Sequence, residues 1–207
     1  MNKRLILVRH AERPDIPAGE VGNEVLLNAK GLQASFAFGQ SLNQNIISIR
    51  TSPISRCVQT ATEIAKAVGY DRSNIKTCTD LGSPGYFISD GSLAWRHWQE
   101  KGSQRVNQFL LDGSESWDGF NDLKKSAAKF KNKVEQTLKI SQNGTHLWVT
   151  HDTILAAFAA RVLDEPITID QWPEYLEYLT VGITSDGKMR FQYHSNYHSR
   201  RKQNRPL

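Results

Sequence analysis

Residues 5–8 read Leu-Ile-Leu-Val, an apolar run with no polar member. A strand sends alternate side chains to opposite faces, so such a run must be covered on both sides. This excludes a half-solvated antiparallel sheet at that position and points to a parallel strand between layers of helix. The pattern downstream agrees. "NAKGLQASFAFGQSL" places Leu32, Phe36, Gly39 and Leu42 at helical spacing, so a helix is predicted to begin near Asn28. Residues 46–52 are predicted as a second short strand. In "SPISRCVQTATEIAKAVG", Ser52 suits an N-cap and Pro53 the first helical position. Val58, Ala61, Ile64, Ala65 and Val68 make the stripe, and Gly69 the stop. A third strand is predicted over 74–81, a long amphipathic helix over 120–140, a strand over 146–150 and a helix over 152–163. A closing hairpin turns at Asp186-Gly187. Strands alternating with helices give the α/β class: three layers, with a mostly parallel central sheet flanked by helices.

Residues 82–118 interrupt the alternation with Gly, Ser and three tryptophans, Trp95, Trp98 and Trp117, around a short helix predicted near 93–100. The segment is read as a small cap insertion over the carboxyl edge of the sheet, where α/β proteins bind ligands. Its tryptophans are expected to form a small core of their own. Residues 1–195 are taken as one domain and 196–207 as a basic tail, expected to be a mobile end.

Apolar residues make up 39% and charged residues 23% of the chain, ordinary for a globular domain. No apolar run approaches the roughly 20 residues of a membrane helix, so no membrane partner is expected. The run at 5–8 is shorter than the about 7 residues of a signal core, and a cytoplasmic location is expected. The net charge is +5, but Arg200, Arg201, Lys202 and Arg205 stand in a tail with no acid. Nucleic acid is therefore not expected as a partner beyond what that tail attracts. Cys57 and Cys78 are expected to be free thiols. The oligomeric state is not legible.

Three polar clusters follow predicted strands: Arg9-His10, Arg56 one turn into a helix, and His151-Asp152. Carboxyl ends of parallel strands share one edge, so residues distant in sequence meet there, beside helix N-termini that favour an anion. Arginines and histidines gathered without counter-charge would repel; a dianion between them resolves this. Arginine offers a planar fork to phosphate oxygens, and a neutral histidine is a competent nucleophile. Attack of His10 on phosphorus, charge neutralisation by the arginines and proton donation by Asp152 is the chemistry these residues support. Other phosphate chemistries fail on spacing. Five residues on from each cysteine the next position is Glu63 or Pro84, not the Arg a cysteine phosphatase needs. There is no Gly-x-Ser-x-Gly elbow or Lys-Ser/Thr phosphate loop, and the histidines show no metal-ligand spacing.

"VRHAERP", "SPISRCVQTA" and "VTHDTIL", in this order, resemble the histidine phosphatase superfamily, which includes phosphoglycerate mutase and the histidine acid phosphatases. The resemblance implies a phosphoglycerate mutase-like fold, a phosphohistidine on His10, a phosphate pocket of Arg9, Arg56 and His151, and no metal or cofactor. Ala11 stands where the family usually has Gly. The mutase-like branch carries a donor Glu shortly after the third strand, and this chain offers Ser83 there. Arg13 and Asp152 match a second Arg and a His-Asp pair of the acid phosphatase branch, so the motifs lie closer to that branch and the length to the compact mutase-like members. Asp152 is the expected proton donor, with Asp80 and Asp90 in reserve, and Arg13 the expected fourth phosphate ligand. The expected function is a metal-independent phosphatase of phosphate monoesters. The alternatives are a phosphomutase of the phosphoglycerate mutase type and a low-turnover phospholigand-binding module. A small phosphorylated substrate or a phosphoprotein is the expected partner. Arg96, Lys101 and Arg105 stand against Asp90, Glu100, Asp112, Glu115 and Asp118 in the insertion, which does not demand a polyanion.

Overall fold

The computed structural model describes residues 3–17, 19–184 and 186–195. Its centre is strand β1, Lys3–Arg9, in which Leu5, Ile6, Leu7 and Val8 are fully buried. The pleat divides them. Leu5 and Leu7 face one core with Phe130, Val134 and Phe158, while Ile6 and Val8 face another with Cys57, Ala61, Ile64 and Ala65. The sheet is thus the middle of three layers, as the uninterrupted apolar run requires.

The other elements are α1 (Ala29–Ser41), β2 (Ile46–Thr51), α2 (Ser55–Val68), β3 (Lys76–Thr77), α3 (Gly91–Asp112), α4 (Leu123–Ile140), β4 (Gly144–Thr150), α5 (Asp152–Val162), β5 (Tyr178–Ile183) and β6 (Met189–His194). Strand order is β3-β2-β4-β1-β5-β6. The first four are parallel; β5 runs antiparallel to β1, and β6 closes the hairpin. Asn28 caps α1, its side chain accepting from the Gly31 N–H at 2.7 Å, and Gly69 ends α2 with a left-handed φ of 69°.

Three local expectations change. Helix α2 starts at Ser55 with Ile54 at the cap and no side-chain cap bond; the Ser52 hydroxyl accepts from the Ile54 N–H just before the helix, at 3.3 Å, and otherwise meets His151 and Gly82. The third strand shrinks to Lys76–Thr77. The chain then turns through a 3-10 segment, Thr79–Leu81, that drives Leu81 into the core. The insertion holds the expected short helix and a second one after it: α3 is broken at Gly102, whose φ of 78° and ψ of 161° are not helical, and beyond the break Val106, Phe109 and Leu110 are buried in the main core. The insertion is tied down where Ile88 bridges Phe120, with Ser89 N–H donating to the Gly119 carbonyl at 2.9 Å. Its tryptophans do not make a separate core. Trp117 stacks on Phe109 with ring centroids 4.1 Å apart, and Trp98 and Trp117 both pack against the main cluster. Among the described residues no helix is long and apolar enough to cross a membrane. Both cysteines are free, Cys57 buried and Cys78 half-buried. The basic tail, 196–207, lies outside the described residues.

Candidate active site

Strands β1 and β4 are neighbours with Arg9 opposite Thr150, so the residues that leave them are His10 and His151. The His10 N–H donates to the Thr150 carbonyl at 2.9 Å, and the two imidazole centroids lie 5.5 Å apart. Strand β2 flanks β4 on its other side, and the loop after it delivers Ser52 and then Arg56 in the first turn of α2. Residues 10, 56 and 151 therefore converge, as the strand-end pattern predicts, and all three are buried.

The hydrogen bonds fix both tautomers. His10 Nδ1 lies 2.8 Å from the Ala11 carbonyl, an acceptor only, so Nδ1 carries the proton and Nε2 presents a lone pair. Arg56 Nε–H donates to that Nε2 at 3.1 Å. The same guanidinium reaches His151 Nδ1 at 3.3 Å and donates to the Gly22 carbonyl at 2.7 Å. His151 Nδ1 is thereby an acceptor, and Nε2–H donates to Ser52 Oγ at 2.9 Å. Both rings are held neutral. For His10, burial first, then His151 and Arg9, push its pKa well below the usual histidine value. Burial and then Arg56 push His151 down to about 3. Burial also lowers the pKa of the Arg56 guanidinium.

Arg9 stands behind the histidine. It donates to the Pro173 carbonyl, pairs with Asp152 Oδ2 at 3.3 Å and lies over the Tyr175 ring at 4.3 Å. The buried Nε atoms of Arg9 and Arg13 have no partner among the described residues. Unpaired buried donors of this kind are costly unless an anion or water meets them. Arg13 makes no ion pair with Glu12, which binds Lys30 at 2.8 Å and Asn28 at 3.0 Å.

A cavity of about 830 Å³ opens from this cluster. His10, Arg13, Arg56, His151 and Asp152 line its floor, and Arg9 is not on its wall. Asp152 is present but otherwise occupied. Oδ2 takes Arg9 and the Trp172 indole N–H at 3.3 Å each, and Oδ1 takes the Thr153 N–H at 2.9 Å. Burial alone would raise its pKa, but Arg9 and His10 outweigh burial and hold it at about 2. The upward shift that a donor needs is therefore not met in the free protein. Neither reserve acid reaches the site. Asp80 lies beside Arg50, Cys78 and Lys133 in a separate crevice, and Asp90 caps α3 by accepting from Ser92 and Leu93 N–H groups.

The sequence reading missed four participants. Ser52 read as a helix cap, yet its hydroxyl receives the His151 Nε2–H of the tautomer that Arg56 selects. Trp172, Pro173 and Tyr175 lie between α5 and β5 in a stretch with no motif; the antiparallel return of β5 beside β1 brings Pro173 and Tyr175 against Arg9 and Trp172 against Asp152. Among the described residues no group of three or more His, Cys, Asp or Glu is placed to hold a metal ion.

Residues 5–190 match the histidine phosphatase superfamily, branch 1. The chain belongs to this superfamily. A curated relative, the serine/threonine-protein phosphatase Pgam5, mitochondrial, of Drosophila grimshawi, is 26% identical over 79% of this chain; the match covers 52% of that protein, so the chain spans about half the length of the relative. Among solved structures, a phosphoserine phosphatase of Entamoeba histolytica in complex with 3-phosphoglyceric acid superposes with a TM-score of 0.65 at 18% identity, covering 93% of this chain and 96% of that one. A phosphoglycerate mutase of Bacillus anthracis superposes with a TM-score of 0.60 at 16% identity, covering 96% of each chain. At these identities the structural likenesses establish the phosphoglycerate mutase-like fold.

Proposed function

We propose that this histidine phosphatase superfamily member hydrolyses phosphate monoesters through a phosphohistidine on His10. The observation that carries this reading is the His10 ring itself: Nδ1–H tied to the Ala11 carbonyl, with Nε2 unprotonated and turned to Arg56. A nucleophile must offer a lone pair at neutral pH in a fixed direction, and this geometry supplies one.

In the free protein the Arg56 Nε–H covers the lone pair. A phosphate oxygen arriving between them is the stronger acceptor, so the N–H turns to the oxygen and frees Nε2 for phosphorus. Arg56 and Arg13 then meet the charge on the phosphoryl oxygens, and His151 stands beside them with its Nε2–H turned to Ser52. Arg9, off the cavity wall, adds a charge near His10, while Asp152 and Tyr175 hold it in place. Nε2 displaces the leaving oxygen, water then displaces Nε2, and phosphate leaves. No metal takes part in this scheme. Hydrolysis is favoured over phosphomutase action because the cavity mouth carries exposed Pro17, Gly19 and Glu20. A mutase must keep its dephosphorylated intermediate from escaping.

Acid-quench mixing with a ³²P-labelled phosphate donor tests the reading. Wild type is expected to trap acid-labile, base-stable phosphate, and His10→Ala none. Failure of wild type to trap label or to hydrolyse any ester in a broad panel would return the protein to the binding-module reading.

A further inference from the structure

Two features of the cavity concern the leaving group rather than the phosphate. The first is the wall. Beyond the floor it is built by Ile88, Ala94, Trp95, Trp98 and Ile154, with uncharged Gln99, Ser103 and Asn107 farther along α3. Trp95 and Trp98 lie nearly parallel, centroids 6.5 Å apart and planes 24° apart. Apart from Arg13 and Arg56, no Lys or Arg lines it among the described residues. This wall suits a flat, apolar, uncharged group and offers nothing to a second phosphate.

The second feature is the acid. An alkoxide leaving group needs a proton as the P–O bond breaks. The carboxylates on the wall are Asp152 and Glu20 among the described residues. Asp152 is an ionised partner of Arg9 and Trp172, and Glu20 is exposed in the loop at the mouth. Where the mutase-like branch carries its donor Glu, Ser83 lines the cavity. A phenol oxygen, with an ordinary pKa of about 10, departs as the anion without such help.

Resting on the phosphohistidine reading, we infer that the substrate class is the aryl phosphate monoester: the ring lies against Trp95 and Trp98, and the phenolate leaves unprotonated. The His10 Nε2 lone pair forms the N–P bond as the P–O(aryl) bond breaks, and that electron pair departs on the phenolate, which takes a proton from solvent. Water then adds to phosphorus, the N–P pair returns to Nε2, and the water's surplus proton goes to solvent with release of hydrogen phosphate.

The test compares O-phosphotyrosine with O-phosphoserine, a series of para-substituted phenyl phosphates, and acetyl phosphate, whose small leaving group needs neither wall nor acid. The expected kcat/KM for phosphotyrosine exceeds that for phosphoserine by at least about 10²-fold, the usual value of a missing general acid, and the phenyl series rises steeply as leaving-group pKa falls. Trp95→Ala and Trp98→Ala are each expected to lower the phosphotyrosine-to-acetyl phosphate ratio about tenfold. That ratio is taken within one preparation, so a partly folded variant does not change it. Phosphoserine turned over as well as phosphotyrosine overturns the inference. So does a flat series that steepens in Glu20→Gln or Asp152→Asn, which would identify an acid. If acetyl phosphate labels His10 while aryl esters show no advantage, the substrate class falls and the phosphohistidine stands; if no donor labels His10, both fall.

Discussion

Gly82→Ala separates the two things the sheet edge does, which are to hold its own shape and to hold His151. Gly82 has φ 139° and ψ 145°, a region that side chains avoid at a cost of about 1–3 kcal/mol. A methyl group built there would lie 2.5 Å from His151 Cδ2 and Nε2 and 2.8 Å from Ser52 Oγ. The ring has little room to retreat, because Arg56 holds Nδ1 at 3.3 Å and the Cys57 thiol lies 3.6 Å from Nε2. Overpacking of this kind adds about 1–3 kcal/mol, so the expected total is about 2–6 kcal/mol. Gly69→Ala is the reference. It too has a positive φ, 69°, but nothing lies within 4 Å of the added carbon, so strain of about 1–2 kcal/mol acts alone. Urea unfolding at neutral pH is expected to rank Gly82→Ala well below Gly69→Ala. Acid-quench trapping is expected to slow by about 10²-fold in Gly82→Ala alone, the effect of displacing a positioned group by about 1 Å. Equal stability losses, or a destabilised Gly82→Ala that phosphorylates at the wild-type rate, would refute the close packing of His151 as the reason for glycine.

Other outcomes follow from the same geometry. His151 titrates at about 3 when folded, against an ordinary 6.5, so the unfolded chain binds the extra proton between those values. Stability is then lost as pH falls through this window, by about 3 kcal/mol near pH 4.5 from His151 alone, and His10 shifts in the same direction. Asp152, held at about 2 against an ordinary 3.8, has the opposite charge type: its stabilisation is fully present above the ordinary value and is lost as pH falls from there toward 2, so it leaves the span from about pH 7 to pH 4.5 unchanged. Urea midpoints that stay level between about pH 7 and pH 4.5 would contradict this. Ser52→Ala removes the acceptor of His151 Nε2–H; a loss of about 1–3 kcal/mol is expected, with ¹⁵N chemical shifts showing the ring still protonated at Nε2 because Arg56 keeps Nδ1 an acceptor. Arg56→Lys gives up a fork that serves His10, His151 and Gly22 at once. Trapping is expected to slow by about 10²–10³-fold despite the retained charge, and near-wild-type rates would deny the fork its role.

The elements with strong local period were legible: the buried run of β1, the stripe and Gly69 stop of α2, the face of α4, the hairpin turn. Of α3 only the part before Gly102 was, because its apolar residues divide between two tasks. Trp95 lines a cavity, Trp98 both lines it and packs on the core, and Val106, Phe109 and Leu110 beyond the Gly102 break face the core alone, so no single stripe runs its length. The short β3 was over-read because "NIKTCTDL" has strand composition, whereas Leu81 gains more by turning inward to full burial than by extending an exposed edge.

At the site, the chemistry of single residues was fixed by the chain itself: a histidine and an arginine at a strand end, an arginine one turn into a helix, a His-Asp pair at another strand end. Which donor meets which acceptor was settled only by the strand order β3-β2-β4-β1-β5-β6. That order sets His10 beside His151, turns Ser52 from a helix cap into the partner of an imidazole, and folds Trp172 and Tyr175 back onto Arg9 and Asp152. Residue type and periodicity are local properties, written within a few positions. Charge state and hydrogen-bond direction depend on neighbours that arrive from other strands, so Asp152 reads as a free acid in the sequence and is an ion-paired carboxylate in the fold.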